Sequence, residues 1–238
     1  MNKIQKYLKL QHLLTINSNY PKLTILYIKP LILAIPDCLT DTECGSLLQL
    51  IHQNELLFIP SQSKSKLKQR QSKELRFGLK HFQTSITQKL QKLIPYPLDH
   101  LETPKLTKYT KNDYFLTHQD GISKTNYKTP HSYCQVPYSN RMCTILIYLN
   151  QCHGGNTYFN DLKLNIKPEK GKALGFFPCY SHTHPVKPGR LNLHTRHESK
   201  PIRKGNKYIY QQWIWNGPYR EKLDIYSKDI VHGLKVRP

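Results

Sequence analysis

Beyond residue 104 the chain breaks into short runs that are punctuated too closely for helices. Seven of them, at 105–110, 114–119, 142–150, 156–160, 162–166, 172–177 and 207–215, are rich in aromatic and β-branched residues. Gly, Pro, Asn and Asp separate them. Side chains alternate between the two faces of a strand, so runs this short bury an apolar face only when several assemble. Their number and spacing predict two facing sheets, a sandwich or jelly roll.

The first hundred residues read differently. Thr40 followed by Glu43 has the spacing of a capping box, and Cys44, Leu47, Leu48 and Ile51 then fall on one stripe, so a helix is predicted over 41–53. A second helix is predicted in "SITQKLQKLI", where Ile86, Leu90, Leu93 and Ile94 share a face and Pro95 ends it. "LTILYIKPLILAIP" is read as core strand, and the basic, loosely periodic Met1–Tyr20 as a short helix or a frayed end. The predicted class is α+β, mainly β. Its divisions are a basic extension over 1–30, one domain over 31–216 and a tail over 217–238.

Length and composition support one globular domain. The 238 residues suffice for a sizeable core. No run of 18 or more apolar residues is present, so no membrane span is expected. The Leu23–Pro36 stretch has Lys29 and Pro30 inside it and no small-residue cleavage site after it, so a cytoplasmic location is expected. The six cysteines show no CxxC spacing and are expected to be free thiols in a reducing compartment. The net charge of +21, from 36 Lys+Arg against 15 Asp+Glu, favours acidic partners, although abundant Lys, Asn, Ile and Tyr equally fit an AT-rich coding sequence. The densest basic run, 63–73, has no aromatic residue interleaved, so it reads as a solvated loop and not as a stacking platform for nucleic acid.

The chemistry concentrates in "YFLTHQDG". His118 and Asp120 lie two apart, which on a strand places both side chains on one face. With a distant His they would form a 2-His-1-carboxylate face, which holds Fe(II) and leaves positions open. The candidates are His131, His153, His182, His184, His194 and His197. His182 lies only five residues after Phe177, too close to leave one strand and return on the next. His197 lies twenty residues on, and Lys207 follows it on a strong strand, where a buried ammonium could face an anionic cosubstrate. A zinc site from Cys179, His182, His184, His194 and His197 is the competing reading, but it lacks a second Cys and the paired spacing of structural zinc.

Together these residues resemble the Fe(II)/2-oxoglutarate-dependent dioxygenases, and within them the catalytic domain of the prolyl 4-hydroxylase alpha-subunit type. The resemblance runs from Ile32 to Trp215 through five ordered stretches: "IPDCLTDTECGSLLQLI", "YTKNDYFLTHQDG", "RMCTILIYLNQCHGGNTYF", "KPEKGKALGFF" and "HESKPIRKGNKYIYQQWI". It implies a double-stranded β-helix (a cupin-like jelly roll) with supporting N-terminal helices. It implies that His118, Asp120 and His197 ligate Fe(II), and that Lys207 pairs with the far carboxylate of 2-oxoglutarate. It also implies that Tyr109 adds a hydrogen bond there and that Thr144 and Trp213 line the cosubstrate pocket. Arg141 would face a peptide channel. The implied reaction consumes O2 and 2-oxoglutarate, releases succinate and CO2, uses ascorbate as reductant, and hydroxylates a peptidyl residue, proline first.

Two departures fall on the substrate side. Phe115 stands where the family often has Tyr, and Trp215 where it often has His; both are assigned to the substrate channel. The alternatives are a lysyl hydroxylase, a nucleic-acid demethylase (which generally uses Arg where Lys207 stands) or an iron-free binding protein. Gly154 and Gly155 are read as a turn, and the long 177–197 loop is expected to border the entry to the iron.

Overall fold

A computed structural model describes residues 5–6, 16–61, 69–76, 85–124 and 126–220. Most of Met1–Tyr20 and of the 217–238 tail lies outside them. The predicted helices are present as α1 (Asp41–Gln53) and α2 (Ser85–Leu93). Thr40 Oγ1 accepts from the Glu43 amide (3.2 Å) and the Glu43 carboxylate accepts from the Thr40 amide (2.8 Å), which closes the capping box. Lys89 on α2 donates to the same carboxylate at 2.6 Å and ties the two helices together.

Two antiparallel sheets form the rest. The larger has the order β1 (Thr24–Ile28), β2 (Leu31–Ile35), β12 (Ala173–Phe176), β8 (Arg141–Tyr148), β15 (Lys207–Trp215), β6 (Lys105–Tyr109), β5 (Lys73–Arg76), β3 (Ile59–Pro60). The smaller runs β11 (Leu164–Ile166), β10 (Thr157–Phe159), β13 (His197–Ser199), β7 (Tyr114–His118), β4 (Arg70–Gln71). A ribbon of β9 (His153–Gly154) and β14 (Ile202–Lys204) completes the set.

The two-residue period of β8 and β15 decides what points where. Cys143, Ile145 and Ile147 on β8, with Tyr208, Tyr210 and Ile214 on β15, share a core with Cys44, Leu47 and Ile51 of α1 and Ile86 and Leu90 of α2. Leu146, Tyr148 and Ile209 alternate with them and meet Phe159 and Ile166 of the smaller sheet. Both central strands are therefore covered on both faces, which explains their nearly unbroken apolar runs. The same parity sends Thr144, Lys207, Gln211 and Trp213 between the sheets.

Four expectations change. "LTILYIKPLILAIP" is a hairpin of β1 and β2, because the Lys29–Pro30 turn divides it. Since β1 belongs to the larger sheet, the domain begins before residue 31. At the other boundary Tyr219 folds back, donating its amide to Asp99 O at 2.6 Å. The basic run at 63–73 is not wholly a loop: Arg70, Gln71 and Lys73 are in strands, and 63–68 lie outside the described residues. Among the described residues no helix is long and apolar enough to cross a membrane.

Candidate active site

Three strand ends bring the metal-ligand candidates together. In the smaller sheet His197, opening β13, pairs with His118, closing β7. Asp120 lies just past that end, with Oδ1 at 3.6 Å from His118 Nε2. The ligand atoms of His118, Asp120 and His197 all lie within 4.8 Å of one another, and they form the group that could hold a metal ion among the described residues. His182, His184 and His194 are not part of it, so the zinc reading finds no support there.

Hydrogen bonds fix how the two imidazoles are presented. His118 Nδ1 lies 2.9 Å from Leu116 O, and His197 Nδ1 lies 3.0 Å from Thr195 O. A carbonyl only accepts, so each Nδ1 carries a proton and each ring offers its Nε2 as the candidate ligand atom. Asp120 Oδ2 accepts from Thr144 Oγ1 (2.8 Å) and Gln211 Nε2 (3.4 Å), which leaves Oδ1 toward the imidazoles. Burial pushes the Asp120 carboxyl up, but the adjoining His118 and His197 rings and the Arg141 guanidinium outweigh it and hold the group well below the usual range. Burial, aided by His118 and opposed by Asp120, pushes His197 down to about 4. Two imidazoles and an ionised carboxylate are the donor set for a divalent cation.

Lys207 lies deeper between the sheets. It is 1 % exposed and pairs in register with Tyr109. Its ammonium donates to Gly155 O (2.6 Å) and Ser199 Oγ (2.8 Å) and lies 5.1 Å from the Tyr109 ring centroid. No carboxylate among the described residues pairs with it, and burial pushes it down to about 7. A buried ammonium without a counter-charge is costly, and an anion beside it removes that cost. Gly155 is thus more than a turn: its φ is +65°, and an added Cβ would lie 2.4 Å from Ile202 Cδ1 and 3.1 Å from Lys207 Cδ.

The remaining predicted residues fall into place unevenly. Thr144 orients Asp120. The Tyr109 hydroxyl is hydrogen-bonded to Arg70. Trp213 packs between cations, with Arg141 at 4.0 Å and Lys105 Nζ at 4.6 Å from its ring, and its buried Nε1 has no partner among the described residues. Phe115 stacks on His118 at 3.5 Å between centroids, with Arg70 over it at 4.6 Å. That contact needs a bulge. Two steps of β13, His197 to Ser199, oppose three steps of β7, His118 to Phe115, so Phe115 and His118 share a face.

Trp215 departs from expectation. It is fully buried, donates Nε1 to Glu102 Oε2 (3.0 Å), and is flanked by the His131 and Tyr219 rings, so it offers no open channel face. Arg141, expected toward a peptide, forms a two-point ion pair with Glu102 (Nε–Oε2 and Nη2–Oε1, both 2.7 Å) and donates Nη1 to Asp120 O at 3.1 Å. Burial raises the Glu102 carboxyl, but Arg141 and Arg76 prevail and lower it. Glu102 and Arg70 are the residues sequence reasoning missed. Glu102 carried no motif, and Arg70 was hidden in the basic run.

Residues 104–215 match the model of the 2OG-Fe(II) oxygenase superfamily. A protein of Acanthamoeba polyphaga mimivirus with the provisional name prolyl 4-hydroxylase is 30% identical over 119 residues, which cover 50% of this chain and 46% of that protein. The prolyl 4-hydroxylase subunit alpha-1 of Caenorhabditis elegans is 28% identical over 158 residues, covering 63% of this chain and 27% of the subunit. The viral collagen prolyl hydroxylase of Paramecium bursaria Chlorella virus-1, solved as its 2-oxoglutarate complex, superposes with a TM-score of 0.59 at 25% identity, covering 77% of this chain and 95% of that one. The chain thus spans less than half the length of the two curated relatives. Its fold is the double-stranded β-helix, and residues 104–215 carry the match to the 2OG-Fe(II) oxygenase superfamily. The curated relatives and the solved structure that it resembles carry prolyl hydroxylase names.

Proposed function

We propose that this chain is an Fe(II)- and 2-oxoglutarate-dependent hydroxylase of peptidyl proline. The observation that carries the reading is the buried, uncompensated ammonium of Lys207 on the strand beside the His118–Asp120–His197 cluster. His118 and His197 would bind iron through Nε2 and Asp120 through Oδ1. Lys207 would receive the far carboxylate of 2-oxoglutarate, assisted by the hydroxyl of Ser199, whose Oγ accepts from the ammonium. Bound iron with 2-oxoglutarate and O2 supplies the oxidising power to hydroxylate an unactivated C–H bond, with succinate and CO2 released and ascorbate as reductant.

The chain's own residues position and screen. Thr144 and Gln211 hold the Asp120 carboxylate, and Arg141 holds its carbonyl. Phe115 shields one face of His118 from water. The partners would be peptide or protein substrates, and the prolyl hydroxylase names of the relatives favour proline over lysine. Six free cysteines suit a reducing compartment such as the cytoplasm. Incubation with Fe(II), 2-oxoglutarate and proline-rich peptides should release succinate and add one oxygen to proline, located by mass spectrometry. Turnover on lysyl peptides but never on prolyl ones refutes the proline assignment, and full turnover by His118→Ala refutes the site.

A further inference from the structure

A second feature lies outside the iron cluster. Between the smaller sheet and the β9–β14 ribbon runs a cleft of about 960 Å³. Lys167, Lys200, Arg203 and Lys204 line it, against a single carboxylate, Glu169. Glu169 is held by Lys172 at 2.5 Å, and Lys200 by Glu198 at 2.5 Å. Lys167, Arg203 and Lys204 are exposed and have no carboxylate partner among the described residues. The cleft therefore carries three uncompensated positive charges in a concave, polar setting, where a field is focused more than on a convex surface.

The geometry points to an exosite for an acidic segment of the polypeptide substrate. Two observations favour a peptide over a nucleic-acid strand. First, the one tyrosine ring lining the cleft, Tyr158, has Lys200 Nζ over it at 4.6 Å, so beside the smaller His153 imidazole it offers little free surface for stacking a base. Second, β11 is the outer strand of the smaller sheet and leads directly into Lys167. Its outer backbone groups can pair with an extended peptide while the cations meet alternate acidic side chains. The naming of a substrate segment rests on the hydroxylase reading; the binding chemistry of the cleft does not.

The cleft is also joined to the cosubstrate pocket. Lys200, Pro201, Arg203 and Lys204, between His197 and Lys207, lie in the wall on the ribbon side, where β14 pairs with β9 and Gly154 lies next to the Gly155 carbonyl that receives the Lys207 ammonium. A segment seated there would hold the rest of its chain near the iron cluster and raise its local concentration.

The test is fluorescence anisotropy of the whole chain with a labelled peptide containing an Asp/Glu-rich stretch, read against the variant Lys167→Glu/Arg203→Glu/Lys204→Glu. The acidic peptide should bind the wild type. Binding should weaken roughly tenfold or more in the variant, and by a similar factor when ionic strength rises from about 50 mM to about 200 mM. Turnover of a short neutral prolyl peptide should be unchanged in the variant, which also shows that it folds. Equal binding by variant and wild type overturns the proposal. So does tighter binding of a single-stranded oligonucleotide with the same number of charges, or no binding of the acidic peptide. Charge-dependent peptide binding without hydroxylation of any prolyl peptide supports the cleft and refutes the hydroxylase reading, so the two failures are separable.

Discussion

Replacing Lys207 with Met separates the cost of a buried charge from its use. In the unfolded chain the ammonium titrates near 10.5, and in the folded, ligand-free protein burial brings it to about 7. That displacement corresponds to roughly 5 kcal/mol against folding at low pH. Methionine fills a similar volume without a charge but leaves Gly155 O and Ser199 Oγ without their donor, which costs about 1–3 kcal/mol. The ligand-free variant should therefore be more stable than wild type by about 2–4 kcal/mol below pH 7, a rise in Tm of roughly 5–15 °C. Between the two titration points the unfolded wild-type chain holds the extra proton, so wild-type stability climbs with pH by about 1.4 kcal/mol per pH unit while the variant's Lys207-linked part does not. The gap should narrow by about 3 kcal/mol between about pH 7 and about pH 9. Saturating 2-oxoglutarate, with the metal-loaded protein kept anaerobic, should raise the wild-type Tm and leave the variant's unmoved. Thermal melts across this pH range, with and without 2-oxoglutarate, read all three effects. A variant less stable than wild type at about pH 6.5, or one still stabilised by 2-oxoglutarate, would refute the reasoning.

Other perturbations test the surrounding contacts. Thr144→Val removes the donor to Asp120 Oδ2 and should weaken iron binding about 10–100-fold, measured by metal titration, because a support of the ligand is lost while the ligand remains. Glu102→Gln leaves the buried Arg141 charge without its partner; a stability loss of about 3–5 kcal/mol in urea unfolding is expected, with slower turnover of prolyl peptides. A loss under about 1 kcal/mol would mean that Arg141 finds another counter-charge. Thr40→Ala opens the capping box of α1 and should cost about 1 kcal/mol in the same assay without changing turnover.

Much of this protein can be read from local pattern. A capping box and an apolar stripe sufficed to place α1, because both depend on neighbours within two turns. Each of the seven short runs contains a strand, since alternation and flanking turn residues act over a few positions. His118 and Asp120 declared themselves by spacing, and His197 and Lys207 by their distance from the preceding strand and the resemblance built on it.

What escaped the sequence depends on pairings between distant segments. Phe115 and His118 lie three apart, and an ideal strand would point them to opposite faces. Only the bulge opposite His197–Ser199 brings their rings together, and an extra residue in one strand has no signature of its own. Arg70 looked like one cation in a solvated run until β4 paired with β7 and laid it over Phe115. Glu102 lies in an unremarked stretch, yet it gathers Arg141 and Trp215, 39 and 113 positions away. Spacing and side-chain type marked the candidate cation ligands and the candidate partner of an anionic cosubstrate, because coordination chemistry is set by side-chain type and strand parity. The tertiary structure alone decided which buried charges balance one another, because that balance depends on distances across the sheets.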